Sequence, residues 1–252
     1  MSTRLATTDV LDVFIKGFST TRSYVRPYVP RQLSRTLWVL ADTVPSGRER
    51  TPEVIGYGAS PEEVLEARAG AGLTRHTLCV LLDDPSEAPE AIPAYKAVGY
   101  RLMTREPLFV LDTSKRVRHD AAPVRRITSA EMAAAVTSAS GARQIFPQHL
   151  VPGDSECRLY AAYDGETPIG WTRSIRTHPD RAWVAGLYVQ AAHRRQGIGR
   201  TLMSAMLDDD ERFGVRWSVL LASFTGALLY PHLGYEQKGL LLVFTPRKSD
   251  TP

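Results

Sequence analysis

Cysteine is nearly absent from this chain: Cys79 and Cys157 are the only two in 252 residues. Both sit in apolar, strand-like contexts without zinc-ligand spacing, so a disulfide framework and a structural zinc are not expected. Two buried thiols in a reducing compartment are expected instead. Long apolar runs are missing too. No stretch approaches the ~20 apolar residues of a membrane span. The opening Met1-Ser2-Thr3-Arg4-Leu5-Ala6 lacks the apolar core of a secretory signal. A cytoplasmic chain with no membrane partner is expected. Charge of one sign is also scarce. The pI is near 9.1, but the net charge is only +4. Residues 1–118 hold 16 basic and 14 acidic side chains, and the remainder 15 and 13, so each part carries +2 and neither is a basic tail. No helix–turn–helix, RRM or zinc-finger pattern is present, so no nucleic-acid partner is expected. The acidic run Asp208-Asp209-Asp210-Glu211 reads as a solvated helix end, opposed to the helix dipole. Hydrophobic residues at 43% allow a proper core, in one large domain or two small ones.

The most informative stretch is residues 183–203. Trp183-Val184-Ala185-Gly186-Leu187-Tyr188-Val189 reads as an apolar strand, with Gly186 marking a bulge. A short basic turn follows, and Gly197 and Gly199 open a helix. Ile198, Leu202, Met203, Met206 and Leu207 share one face of that helix. The amides of residues 195–200 would lie free at its N-terminus, beside Arg194, Arg195 and Arg200. Orphan N–H groups, the positive end of a helix dipole and nearby guanidinium groups suit a diphosphate. The two glycines let a phosphate approach the backbone. A P-loop is excluded because no Gly-Lys-Ser/Thr ends the loop. A dinucleotide fingerprint is excluded because Leu202 stands at its third glycine position.

Arg194-Arg195-Gln196-Gly197-Ile198-Gly199 resembles the acyl-CoA loop of the GNAT acetyltransferase superfamily, Gln/Arg-x-x-Gly-x-Gly/Ala. A second segment is similar to the family in the same order. Trp217-Ser218-Val219-Leu220-Leu221-Ala222-Ser223 reads as a buried strand, Phe224-Thr225-Gly226 breaks it, and Ala227–Leu233 reads as a short helix ending at Gly234-Tyr235. The resemblance spans residues 122–246. Around these motifs, Val124–Thr128 reads as a strand and Ser129 caps a helix from Ala130. Arg158–Tyr163 and Pro168–Ile175 form a hairpin with its turn at Asp164-Gly165, and Asp180 sits in the next turn. The reading is weak between Gly141 and Gly153, which in the family lies over the substrate. The implied fold class is α/β (α+β): a mixed, mostly antiparallel GNAT sheet flanked by helices.

The N-terminal half looks like a partial copy. His76–Leu82 echoes Trp217–Leu221. Ala91-Ile92-Pro93-Ala94-Tyr95-Lys96-Ala97-Val98-Gly99-Tyr100 echoes Ala227–Tyr235, and Leu108–Leu111 echoes Leu240–Phe244. Thr36–Ala41 reads as a strand. Pro61–Ala67 reads as a helix, with Ser60 at the cap and Pro61 at N1. Its preceding loop, Gly56-Tyr57-Gly58-Ala59-Ser60, holds no arginine. The expected organisation is tandem: a degenerate GNAT-like domain at 1–118 without the phosphate loop, and a catalytic domain at 119–252. The linker is read at Ser114–Pro123.

The resemblance implies acetyl-CoA, or another acyl-CoA, as co-substrate, and no metal. The strands ending at Val189 and Ser223 would splay to admit the pantetheine arm. Backbone at Leu187, Tyr188 and Val189 would hold the thioester and pantetheine and polarise the carbonyl. Arg194, Arg195, Gln196, Gly197, Ile198, Gly199 and Arg200 would hold the diphosphate, with Ser223 and Gly226 completing the site. Tyr230 matches the tyrosine that protonates the departing thiolate; its reference pKa of about 10 lies just above that of a thiol. Read from the residues alone, Tyr230 is an amphipathic-helix tyrosine with a packed ring, and Pro231 removes a helix donor beside it. The acceptor, a small-molecule or peptide amine, would attack directly. The strand 183–189 carries no carboxylate to serve as base. Glu156, His178, Asp180 and His232 lie nearest in sequence, His193 sits in the loop, and the role of His149 is open. A CoA-binding sensor or scaffold without turnover is the alternative. The expected assembly is a monomer with an internal pseudo-dimer, or a homodimer.

Overall fold

The computed structural model describes residues 5–23, 26–44, 46–119 and 123–247. Met1–Arg4 of the leader reading and residues 120–122 of the expected linker lie outside them. Helix α1 (Thr7–Arg22) precedes strands β1 (Tyr28–Gln32), β2 (Leu37–Asp42) and β3 (Glu53–Tyr57), helix α2 (Pro61–Gly70), β4 (Thr77–Leu82), helix α3 (Ala88–Ala97) and β5 (Tyr100–Asp112). Then follow β6 (Val124–Arg126), α4 (Ala130–Ser140), β7 (Cys157–Asp164), β8 (Thr167–His178), β9 (Arg181–Val189), α5 (Ile198–Arg212), β10 (Trp217–Leu221) and β11 (Glu236–Pro246). The pairs β3/β4 and β9/β10 are parallel. The pairs β1/β2, β2/β3, β4/β11, β6/β7, β7/β8 and β8/β9 are antiparallel. This is the mixed, mostly antiparallel sheet expected.

The chain divides into two compact units, and not at residue 118. One comprises 1–24, 109–220 and 226–236; the other comprises 25–108, 221–225 and 237–252. The reason lies in the ends of the two repeats. Strand β11 ends the C-terminal repeat in sequence but pairs with β4, Leu240 opposite Leu82 and Phe244 opposite Leu78. Residues 109–112 of β5 belong to the unit of β10, which neighbours β5 in the strand order. An open strand edge must be paired or covered.

In the first unit the strand order runs β10-β9-β8-β7-β6. Helix α5 packs on β7, β8 and β9, and α1 on β8 and β9. Leu202, Met203, Met206 and Leu207 of α5 are buried, the face its periodicity predicts. No reading of the sequence placed α1. Its Phe14 ring stands 5.6 Å from that of Trp183. A Cβ on Gly17 would fall inside the Trp183 side chain, so glycine is required for this close approach. The β7–β8 turn is Gly165-Glu166, one residue later than expected, with Gly165 at φ 57°. The helix expected at 227–233 is replaced by two 3₁₀ turns, Gly226–Leu228 and Tyr230–Leu233. Pro231 supplies no N–H to an α-helical ladder there.

The acidic run is not a solvated end. Asp210 is wholly buried and accepts from Arg158 Nη2 at 2.6 Å and from Ser174 Oγ at 2.7 Å. Asp208 and Glu211 both pair with the buried Arg116. The stretch read as a linker is accordingly a docked strap up to residue 119. Val117 N donates to Leu233 O at 3.1 Å, and Arg116 holds the end of α5.

In the second unit the order runs β1-β2-β3-β4-β11-β5. Leu37, Val54, Val64, Leu78, Val80, Tyr95, Tyr100, Leu242 and Phe244 lie in its core. Ser60 and Glu63 close a capping box on α2, as that segment's residues suggest. Gly56 and Tyr57 lie in β3 rather than in a loop. The order β1-β2-β3-α2-β4-α3-β5 thus repeats β7-β8-β9-α5-β10-turns-β11, parallel pair included. Cys79 and Cys157 are free and buried.

Candidate active site

The site is built where β9 leaves β10. Their parallel register covers Arg181–Trp183 against Trp217–Val219 and then stops, although β9 runs on to Val189. Beyond that point β9 also bulges against β8. Trp171 faces Tyr188 and Arg173 faces Ala185, so two steps on β8 oppose three on β9. Gly186 takes φ 67° at the bulge, a conformation open to glycine. Leu187 and Val189 are half-buried, and Tyr188 is exposed and stacked on Trp171 at 4.9 Å.

Past a 3₁₀ turn at Ala191–His193, Arg195 adopts φ 64°, the one positive value at a non-glycine among the described residues. A left-handed arginine costs roughly 1–2 kcal/mol, and such strain concentrates at ligand sites. Gly197 follows at φ 82° as the N-cap of α5, and no side chain caps that helix. Ser60 and Ser129 do cap α2 and α4. The first helical bond runs from Thr201 N to Gly197 O at 3.0 Å, which leaves the N–H groups of Ile198, Gly199 and Arg200 to the first turn. A Cβ at Gly197 would meet nothing within 4 Å, while one at Gly199 would stand 3.5 Å from Leu229. Alternating left-handed residues, uncapped amides and open space make a concave nest for an anion. Arg194 turns back: its Nε donates to Val189 O at 3.0 Å and its guanidinium lies over Tyr188. Arg195 is exposed, Arg200 half-buried, and Gln196 donates to Ala192 O at 3.3 Å.

Tyr230 is 6% exposed, its ring 5.5 Å from Phe109 and 5.6 Å from Tyr235. Burial pushes its phenol up to about 12. Gly226 is half-buried in the unit of Tyr230; Ser223 is exposed and belongs to the second unit. Among the described residues, no three His, Cys, Asp or Glu side chains come together as a metal site.

The base candidates separate by environment. His178 lies 2.6 Å from Asp12 and 2.9 Å from Lys16, engaged by α1. The Asp180 carbonyl accepts from Arg216 and Trp217 N. Glu156 and His232 are exposed, and the His193 amide closes its own turn to Gln190. His149 differs. Its Nδ1 meets Ser155 Oγ at 3.0 Å, and Ser155 donates its proton to Cys157 O at 3.1 Å. The hydroxyl therefore accepts from Nδ1–H, and the lone pair sits on Nε2. Burial lowers the His149 pKa against the opposing pull of Glu156, which favours the neutral imidazole.

Arg158, Asp210 and Arg173 were not singled out by sequence reasoning. Asp210 had a legible signal: it continues the face of Met203, Met206 and Leu207, where a carboxylate needs a buried partner. Arg158 and Arg173 sit in strands read only as the two arms of a hairpin.

Residues 155–237 match the family described as Acetyltransferase (GNAT) domain. No curated protein matches the chain. Among solved structures, a GCN5-related N-acetyltransferase from Kribbella flavida is similar with a TM-score of 0.62 and 19% identity, covering 93% of this chain and 95% of its own. A tandem GNAT protein from the clavulanic acid biosynthesis pathway aligns with a TM-score of 0.52 and 16% identity, over 98% of each chain. A GCN5-related N-acetyltransferase from Sphaerobacter thermophilus gives 0.55 and 18% identity, over 85% of this chain and 81% of its own. No described helix is long and apolar enough to cross a membrane. The chain thus carries a GNAT acetyltransferase domain at residues 155–237 and has the fold of the GNAT proteins.

Proposed function

We propose that this protein is an acetyl-CoA-dependent N-acetyltransferase acting on a small-molecule or peptide amine in the cytoplasm. The observation that carries the reading is the parting of β9 from β10 after Trp183, followed directly by the uncapped nest at Arg195–Arg200. The co-substrate supplies an activated thioester. The acceptor nitrogen gains the acyl carbon and gives up a proton as the carbon–sulfur bond breaks to a thiol.

The chain's own residues have separable tasks in this reading. The amides of Ile198, Gly199 and Arg200, with Arg195, hold the diphosphate through short N–H contacts and the helix dipole. Arg194 joins them only by releasing Val189 O. The unpaired edge of β9 lends Leu187 and Val189 to the thioester, where a backbone N–H stabilises developing charge on oxygen. Tyr230 donates a hydrogen bond to the leaving sulfur. With its phenol near 12 it stays protonated throughout the working range, so it stabilises the thiolate without being consumed.

The repeat from β6 to β11 supplies this chemistry, and the repeat from β1 to β5 acts as a degenerate copy. The deciding experiment is thiol release from acetyl-CoA against a panel of primary amines. Release that depends on one class of amine supports the reading. Tight acetyl-CoA binding with no release for any amine would favour a sensor or scaffold.

A further inference from the structure

We infer that Arg173 is a positioning residue that sets the shape of the β9 bulge and latches the segment after α4 to it; this rests on the acyltransferase reading only for its functional consequence. Arg173 lies on β8 opposite Ala185, at the step where the β8/β9 register slips. It is 7% exposed. Its Nη1 donates to Gln144 O at 3.2 Å and its Nη2 to Gln144 Oε1 at 2.5 Å. The same guanidinium presses on Gly186: a Cβ there would stand 2.6 Å from Nη2 and 3.2 Å from Nε.

Three chain segments therefore meet on one planar cation. A lysine cannot reproduce this, because one ammonium has no fork to span the two Gln144 oxygens and no flat face to lie on the bulge. Gly186 and Leu187 together oppose Thr172, so the bulge determines where the Leu187 amide is aimed. Without the guanidinium, nothing of the same shape fills the space beside Gly186. The extra residue could then slide back into regular pairing with β8. The side chain thus acts on the acyl-binding edge through the backbone, without touching the co-substrate.

The test reads acetyl-CoA affinity by calorimetry in the full chain for wild type, Arg173→Met, Arg173→Lys, Gln144→Ala, Gly186→Ala and the double variant Arg173→Met/Gly186→Ala. Amide exchange at residues 185–189 is read in the same proteins without co-substrate. Arg173→Met is expected to weaken binding about tenfold or more, the scale of losing charge-assisted hydrogen bonds. Lysine should not restore it, and Gln144→Ala should weaken it in the same direction. Gly186→Ala should cost affinity in wild type and cost less when added to Arg173→Met, because the clash with the guanidinium is then gone and only the left-handed strain at φ 67° remains. Exchange should quicken at 185–189 and not in α5. Wild-type affinity in Arg173→Met, an additive cycle, or unchanged exchange at 185–189 would each overturn the inference. Should Arg173→Met fail to fold, unchanged exchange and affinity in Gln144→Ala overturn it. A wild type that binds no acetyl-CoA removes the acyltransferase reading, and exchange still decides the latch.

Discussion

Arg158 Nη2 donates to Asp210 Oδ1 at 2.6 Å, and both side chains are shut off completely from solvent. The pair joins β7 to the last turn of α5, the helix that carries the anion nest. Burial pushes the Asp210 carboxyl up, while Arg158 and Ser174 pull against it. A buried pair of this kind adds little over apolar packing, but breaking it strands a charge. Asp210→Asn leaves Arg158 only the exposed Asp154, which its Nη1 meets at 2.9 Å, and is expected to cost about 3 kcal/mol, with Arg158→Met/Asp210→Leu recovering much of the loss. Urea unfolding of the variants checks both.

Gly199→Ala separates fold from binding. Its methyl would make ordinary contact with Leu229, so stability should change little. The same methyl would stand over the first helical turn where a diphosphate must approach. Acetyl-CoA affinity should fall about tenfold or more, or 1.4 kcal/mol and above. Gly197→Asp adds a like charge in a left-handed position and should abolish binding. Unchanged affinity in a folded Gly197→Asp protein would sink the cradle.

Tyr230→Phe removes one hydroxyl from a packed aromatic cluster. Turnover with a competent amine should drop by roughly 10²–10³, the scale of losing one preorganised donor to a developing anion, while acetyl-CoA affinity holds. Because burial raises the phenol to about 12, activity should show no alkaline loss attributable to Tyr230 around pH 10, its ordinary value. A loss under about threefold would assign the role to solvent or another group.

His76 gives a pH signature to the second unit. It is 2% exposed, and its Nε2 meets the Tyr100 hydroxyl at 2.8 Å. Burial first, then Arg68, lowers its pKa from 6.5 to about 4. A folded value below the unfolded one means that the folded state holds the imidazole neutral. Stability from this site is complete above pH 6.5 and is lost as pH falls from 6.5 toward 4, by up to about 3 kcal/mol. The urea midpoint should fall over that window, and His76→Asn should flatten the fall.

One acetyl-CoA per chain is expected. Strand β3 pairs with β4 without interruption from Glu53–Thr77 to Tyr57–Leu81, so the parallel pair of the first repeat does not part as β9 and β10 do. The start of α2 is closed by Ser60 and carries Glu62 and Glu63, which repel a diphosphate. Calorimetric stoichiometry of two would refute the degenerate copy. A chain cut to 119–252 loses α1 and bares Trp183, so it should be poorly soluble. A soluble, fully active truncation would contradict this.

Much of the site was legible in residues 183–235 because its chemistry is local. An apolar run sets β9, glycine permits the left-handed start of α5, and a 3.6-residue period sets the buried face of that helix. The start of α2 was equally readable from Ser60 and Pro61, to which the structure adds Glu63 as the other half of a capping box. Pro231 announced the broken geometry of the 226–233 segment, although not the two 3₁₀ turns that resulted.

What the amino-acid order alone determined is therefore the set of short-range elements and the glycine-opened, uncapped start of α5, since each rests on contacts within about one turn or one strand. Tertiary structure alone decided the rest. Asp210 became a buried ion-pair partner because Arg158, 52 positions away, faces it. Phe14 was assigned to Trp183 and Arg173 to Gly186 by packing of distant segments. The pairing of β11 with β4 was open in the sequence, because an apolar run such as Leu240–Phe244 does not name its neighbour. Only the folded chain, where an open edge takes the strand within reach, settles it.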